Sequence, residues 1–231
     1  MTKSEVTLED LKDITALVDA DMFEVALEKH LWFHEVSRES PGMGGVRLSY
    51  ALASWIELGK KYPPAKDALI RIRDSNKQCL MEGNGSFDIF HDFSSINTYL
   101  NDLNDTYLVF LKLHKNSPQL ANRCYSLVEP VLIDKQDYAV CAPYVLNPEK
   151  RYEYFEKLDV MNEKSLEVTP DHAKDQFIEY KDKSYTEGVC RLILILVNLG
   201  QIENAQAVQK RALSYRENME IRNFLCTMDR G

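Results

Sequence analysis

His30 and His34 stand four residues apart in "HLWFHE", with Trp32 between them and Trp55 following beyond the broken stretch "ESPGMGG". Positions i and i+4 of a helix share a face, so both imidazoles point the same way, the arrangement that zinc sites use. The metalloprotease version needs a glutamate directly after the first histidine to act as base. Here the interior is Leu31, Trp32 and Phe33, with Glu35 outside it, which excludes that chemistry. Any other metal site needs a further ligand, and His91 in "FDIFHDF", with Asp92 beside it, is the one candidate. A metal-dependent enzyme or metal-binding protein centred on His30, His34 and His91 is therefore the alternative functional reading.

Two further readings compete for the same residues. Phe23, Ala26, Leu27, His30, Leu31 and His34 form one helical stripe, so both histidines fall on an apolar face, where a neutral imidazole packs and makes a single hydrogen bond. Trp32 sits on a neighbouring stripe with Val25 and Val36, and Leu48, Ala51, Leu52, Trp55 and Leu58 repeat at helical spacing further on. That is core packing. In the other reading His30, His34, Tyr50, Trp55 and His91 line a groove that accepts a peptide or a helix of another protein, because polar-tipped aromatics give much contact area for little entropy.

Other chemistry is weaker. "GMGG" lacks the spacing of a dinucleotide loop, and no phosphate-binding lysine follows it. "FHDFSS" has no nucleophile elbow. The charged run "PEKRYEYFEKLDVMNEKSLE" reads as a solvated helix, not a carboxylate pair. Cys190 lies in an apolar run, a poor setting for a reactive thiolate.

These residues are positioned by helices. Period-3.6 patterning covers almost the whole chain, and alternation long enough for a strand is scarce. Thr7 and Asp10 give a capping pattern for a first helix, and Asp21 opens a second that runs to about Ser37. Pro and Gly bound a third from about Val46 to Lys61, and a fourth starts at Pro63 and Pro64 and ends near 82. Further helices are expected at about 87–101, 104–115, 118–135, 137–146, 148–168, 171–199, 201–216 and 218–228. The links are only a few residues long, which forces successive helices antiparallel and into contact. With no linker-like tract, residues 1–231 read as one helical-repeat domain, an all-α, right-handed α-solenoid of antiparallel helix pairs with about ten to twelve helices. Its second, third and fifth helices would line the concave surface.

The clearest unit is "TEGVCRLILILVNLGQIENAQAVQKRAL", 186–213. Val189, Leu192, Ile193 and Leu196 make one face, Gly200 turns the chain, and Ala205 and Ala212 permit close approach. This resembles a tetratricopeptide repeat, although Ile193 stands where the family has glycine and Glu217 where it has proline. "YLNDLNDTYLVFLKLHKNSP" and "KQDYAVCAPYVLNP" are fainter echoes at irregular spacing. The run "ALEKHLWFHE...VRLSYALASWIELGKKYPPA" also looks like a widespread bacterial helical-repeat family, a resemblance that implies a bacterial source and brings no activity with it.

Composition narrows the partners. The 231 residues carry a net charge of -8, and residues 186–231 hold six basic and five acidic side chains, which leaves about -9 on the rest. Long-range attraction to nucleic acid or an anionic membrane is unfavourable. The five cysteines are odd in number and never paired as CxxC, so they read as buried apolar residues of a cytoplasmic protein. The longest apolar run, "LILILVNL", is too short to span a bilayer. The expected function is a non-catalytic protein-protein interaction module without cofactor that binds another protein or peptide. A homodimer through 218–228, with Ile221, Phe224, Leu225 and Met228 on one stripe, is a further expectation.

Overall fold

Short-range signals govern where each helix begins and ends. The computed structural model describes residues 5–228, and every regular element among them is helical. Contacts divide the chain into two compact units, with the boundary between Val128 and Glu129. The first unit contains α1 (Leu8–Asp19), α2 (Phe23–Val36), α3 (Met43–Arg47), α4 (Tyr50–Lys61), α5 (Pro63–Met81), α6 (Phe87–Leu100) and α7 (Leu103–Asn116). The boundary falls inside α8 (Pro118–Asp134). The second unit continues with α9 (Tyr138–Cys141), a 3₁₀ turn (Ala142–Tyr144), α10 (Pro148–Val168), α11 (Asp171–Asn198), α12 (Ile202–Tyr215) and α13 (Met219–Met228).

The Thr7 amide and hydroxyl both donate to the Asp10 carboxylate, at 2.8 and 2.9 Å, and start α1. Asn101 ends α6 in the left-handed region at φ 58°, which a short polar side chain tolerates. Gly200, at φ 73°, does the same between α11 and α12, and the Gln201 amide closes that turn on the Leu196 carbonyl at 2.8 Å.

Two expected helices are interrupted. The one expected from about Val46 is split, because Ser49 leaves helical geometry (φ -126°, ψ -91°) and its hydroxyl bonds back to the Gly45 carbonyl at 2.7 Å. The short α3 this creates turns Arg47 into the interior. The one expected over 137–146 shrinks to α9 and the 3₁₀ turn, where Pro143 removes an amide donor and crowds the preceding turn.

Sequential helices pack on one another within each unit: α1 on α2, α4 on α5, α5 on α6 and α6 on α7 in the first, α10 on α11 and α11 on α12 in the second. The first unit's main core joins Val18, Ala26, Leu52, Trp55, Leu69 and Ile96. In the second unit Val189, Leu192, Ile193 and Leu196 of α11 are buried together with Ala205 and Ala212 of α12, whose small side chains let the two helices approach closely. Gly188 serves α10 in the same way, since a Cβ there would sit 2.8 Å from the Phe155 ring. No helix among the described residues is long and apolar enough to cross a membrane.

Candidate functional site

α2 carries His30 and His34 on the face that meets α4, and Trp55 of α4 lies against both. The His30 ring stacks on the indole with centroids 5.2 Å apart and 21° between planes, while His34 meets it edge-on at 5.9 Å and 80°. The indole N–H donates to the Ala65 carbonyl at 2.9 Å, which satisfies its one polar atom. Trp55, His30 and His34 are 1%, 1% and 6% exposed. They are interior residues, so the expectation that they meet a partner directly is corrected: the helix pair that aligns them also covers them.

Burial, followed by the charge of His34, pushes the His30 pKa down to about 3. Burial also lowers His34, to about 4; the Arg47 and Arg38 cations add to this and Asp92 opposes it. Both imidazoles are therefore neutral at pH 7. His30 Nε2 lies 3.4 Å from the Ser54 hydroxyl. His34 Nε2 lies 3.3 Å from Arg47 Nη1, and since a guanidinium can only donate, the hydrogen-bond network assigns Nε2 as acceptor and the His34 proton to Nδ1.

Beside His34 lies a feature that spacing along the chain did not reveal. Asp92 of α6 is completely buried, and Arg47 grips it bidentately: Nη1 donates to Oδ2 at 2.9 Å and Nη2 to Oδ1. Arg38, in the link after α2, donates to Oδ2 at 2.7 Å from a half-exposed position. One carboxylate thus fastens the link after α2 and the short α3 to α6 through charge-assisted bonds. Arg47 itself is 4% exposed, and its Nε finds no partner among the described residues. The available hint was a lone arginine in the otherwise apolar run "GGVRLSYALASW".

The remaining expected site residues are scattered. Tyr50, at the start of α4, is 68% exposed. His91 is partly covered, tilted against Phe87 at 5.6 Å, and burial lowers its pKa. His30, His34 and His91 do not converge into a ligand set: no group of three His, Cys, Asp or Glu side chains able to hold a metal occurs among the described residues. What His34 faces is the Arg47 cation, an unfavourable neighbour for a metal ion. Burial pushes the Cys124 and Cys190 thiols up to about 12, so neither is a nucleophile at neutral pH.

The second unit holds an open cleft of about 290 Å³ between the end of α8, α11 and α13. Pro130, Ile133, Leu194 and Phe224 give it apolar walls. Asp134, Glu187, Arg191 and Glu220 supply its charges, and Cys190 is part of its lining. α13 forms one wall because its stripe turns inward. Ile221 is fully buried, and Gln209 of α12 donates to the Ile221 carbonyl at 2.7 Å. Of the stripe expected to pair two copies, Ile221 is thus covered by its own unit, and the Met228 side chain lies outside the described residues. Spacing alone could not find this cleft, because its walls come from three helices that are not consecutive in the chain. No protein-family model, curated protein or solved structure matches the chain.

Proposed function

We propose that the protein is a non-catalytic interaction module that docks a peptide or helix of another protein in the cleft of its second unit. The observation that carries this is the cleft itself: large apolar side chains from three helices left facing an open concavity, a setting in which a single inserted side chain can become a hot spot. The chemically capable groups near α2 and α6 are committed elsewhere, with His30 and His34 neutral and Asp92 held by guanidinium groups, and the Cys124 and Cys190 thiols are inert.

The same reading treats the neighbour-on-neighbour packing of sequential helices as solenoid stacking of tetratricopeptide-like character, for which the Gly200 turn and the buried Ala205 and Ala212 are the best support. It places the protein in the cytoplasm, in keeping with five free cysteines. The homodimer through α13 has less behind it, since Ile221 is already covered.

A photoreactive phenylalanine analogue at Leu194, compared with one at the exposed Glu203 of α12, tests the docking. The expected result is a discrete adduct from position 194 alone, suppressed by excess wild-type protein and not by the Leu194→Arg variant. Equal adducts from both positions, or none from position 194, would refute the reading.

A further inference from the structure

The cleft is better matched to one kind of occupant than to others. Three of its four charged side chains are carboxylates, and its one cation is already engaged. Arg191 Nε donates to Glu129 at 3.3 Å and Nη1 to Glu187 at 3.3 Å. Glu129 in turn accepts from Arg151 at 2.8 Å, which fixes the guanidinium side of this network within the unit. Asp134 and Glu220 form no ion pair with any described residue, and both stand exposed at the edge of the apolar walls. The Cys190 thiol is raised by burial first and then by Glu220, with Arg191 opposing the shift and Glu187 adding to it.

Backbone geometry selects the form of the occupant. All three walls are helical and the described residues contain no strand, so no sheet edge is offered to an extended peptide. The remaining common mode is a helix laid in a groove, anchored by apolar side chains at i, i+3 or i+4. A volume of about 290 Å³ suits one or two such anchors rather than a cofactor. The net charge of -8 favours the approach of a cation and opposes nucleic acid or an anionic bilayer.

We infer that the cleft between α8, α11 and α13 receives a basic amphipathic helix, which buries an apolar side chain against Ile133, Leu194 and Phe224 and sets lysine or arginine against Asp134 and Glu220. This rests on the docking function proposed above and adds the chemistry of the partner.

The test uses the full chain and two fluorescein-labelled synthetic helices of sixteen residues. Both carry leucine at i, i+3, i+4 and i+7; one has lysine at the flanking positions and the other glutamate. Anisotropy titration is expected to detect the lysine helix and not the glutamate helix. The double variant Asp134→Asn, Glu220→Gln should weaken the lysine helix about fivefold or more, and added salt should do the same, as loss of two partly exposed charge pairs requires. Both substitutions are isosteric and at exposed positions, and an unchanged thermal melt verifies the fold. Leu194→Arg should abolish binding.

If the glutamate helix binds instead and is lost in Leu194→Arg, docking at the cleft stands and its basic specificity falls. If either helix binds and Leu194→Arg changes nothing, the cleft reading falls with it; if neither binds, the inference is overturned. Sedimentation of the chain alone covers the last occupant: a dimer that Leu194→Arg dissociates would assign the cleft to a second copy and overturn the basic-helix inference.

Discussion

Replacing Asp92 with asparagine keeps the shape of the side chain and removes the one carboxylate of the Arg38–Asp92–Arg47 cluster. At 2.9 Å the gross attraction between Arg47 and Asp92 is about 6 kcal/mol at an effective dielectric near 20, most of which offsets desolvation. The variant retains the desolvation cost and loses the attraction, since Arg47 stays 4% exposed with no counter-ion while Arg38 can turn to water. A loss of about 3–5 kcal/mol is expected. Arg47→Met should cost less, because Asp92 still has Arg38. In the double variant no uncompensated charge is buried, so its cost should fall short of the sum of the singles by about 2 kcal/mol or more. Both tryptophans lie in the first unit, so urea unfolding followed by tryptophan fluorescence reports the unit that holds the cluster. A single-variant loss below about 1 kcal/mol, or strict additivity in the double, would refute the description of this cluster as a buried staple.

Three further predictions follow from the interior. The folded pKa values of His30 and His34, about 3 and about 4, lie below the unfolded value of 6.5. Unfolded chains therefore bind protons that folded ones refuse, and stability is complete above pH 6.5 and falls with pH down to about 4 for His34 and about 3 for His30, by up to about 1.4 kcal/mol per pH unit for each histidine. Urea midpoints at pH 7 and pH 5 check this, and His34→Gln should flatten the dependence; an unaltered slope would remove His34 from it. Gly188→Ala puts a Cβ 2.8 Å from the Phe155 ring and should cost about 1–3 kcal/mol, relieved in part by Phe155→Leu, as double-mutant thermal melts would measure. Among the thiols, exposed Cys226 should react with an aromatic disulfide reagent at pH 7.5 well before Cys124 and Cys190, whose values of about 12 keep them protonated. Fast labelling of Cys190 would mean that the cleft wall opens.

Helical identity and most helix ends were legible in the residues alone because their determinants are local: a 3.6-residue apolar period, a Thr7–Asp10 cap, Pro63 at a first turn, Gly200 at a left-handed one. The break at Ser49 was not legible, because a serine hydroxyl reaching Gly45 competes with a helix only once the segment is held between its neighbours. The site divides in the same manner. One helical turn suffices to place His30 and His34 on one face, yet whether that face meets solvent depends on α4, and it is Trp55 that covers it. Arg47 and Asp92 are 45 residues apart, and no period links them; they meet because α3 turns inward and α6 packs behind it. The cleft joins Ile133, Leu194 and Phe224, three residues whose individual apolarity predicts burial. Only the tertiary arrangement of α8, α11 and α13 leaves them lining an opening, since local periodicity fixes which side of a helix is apolar and tertiary packing decides whether anything covers it.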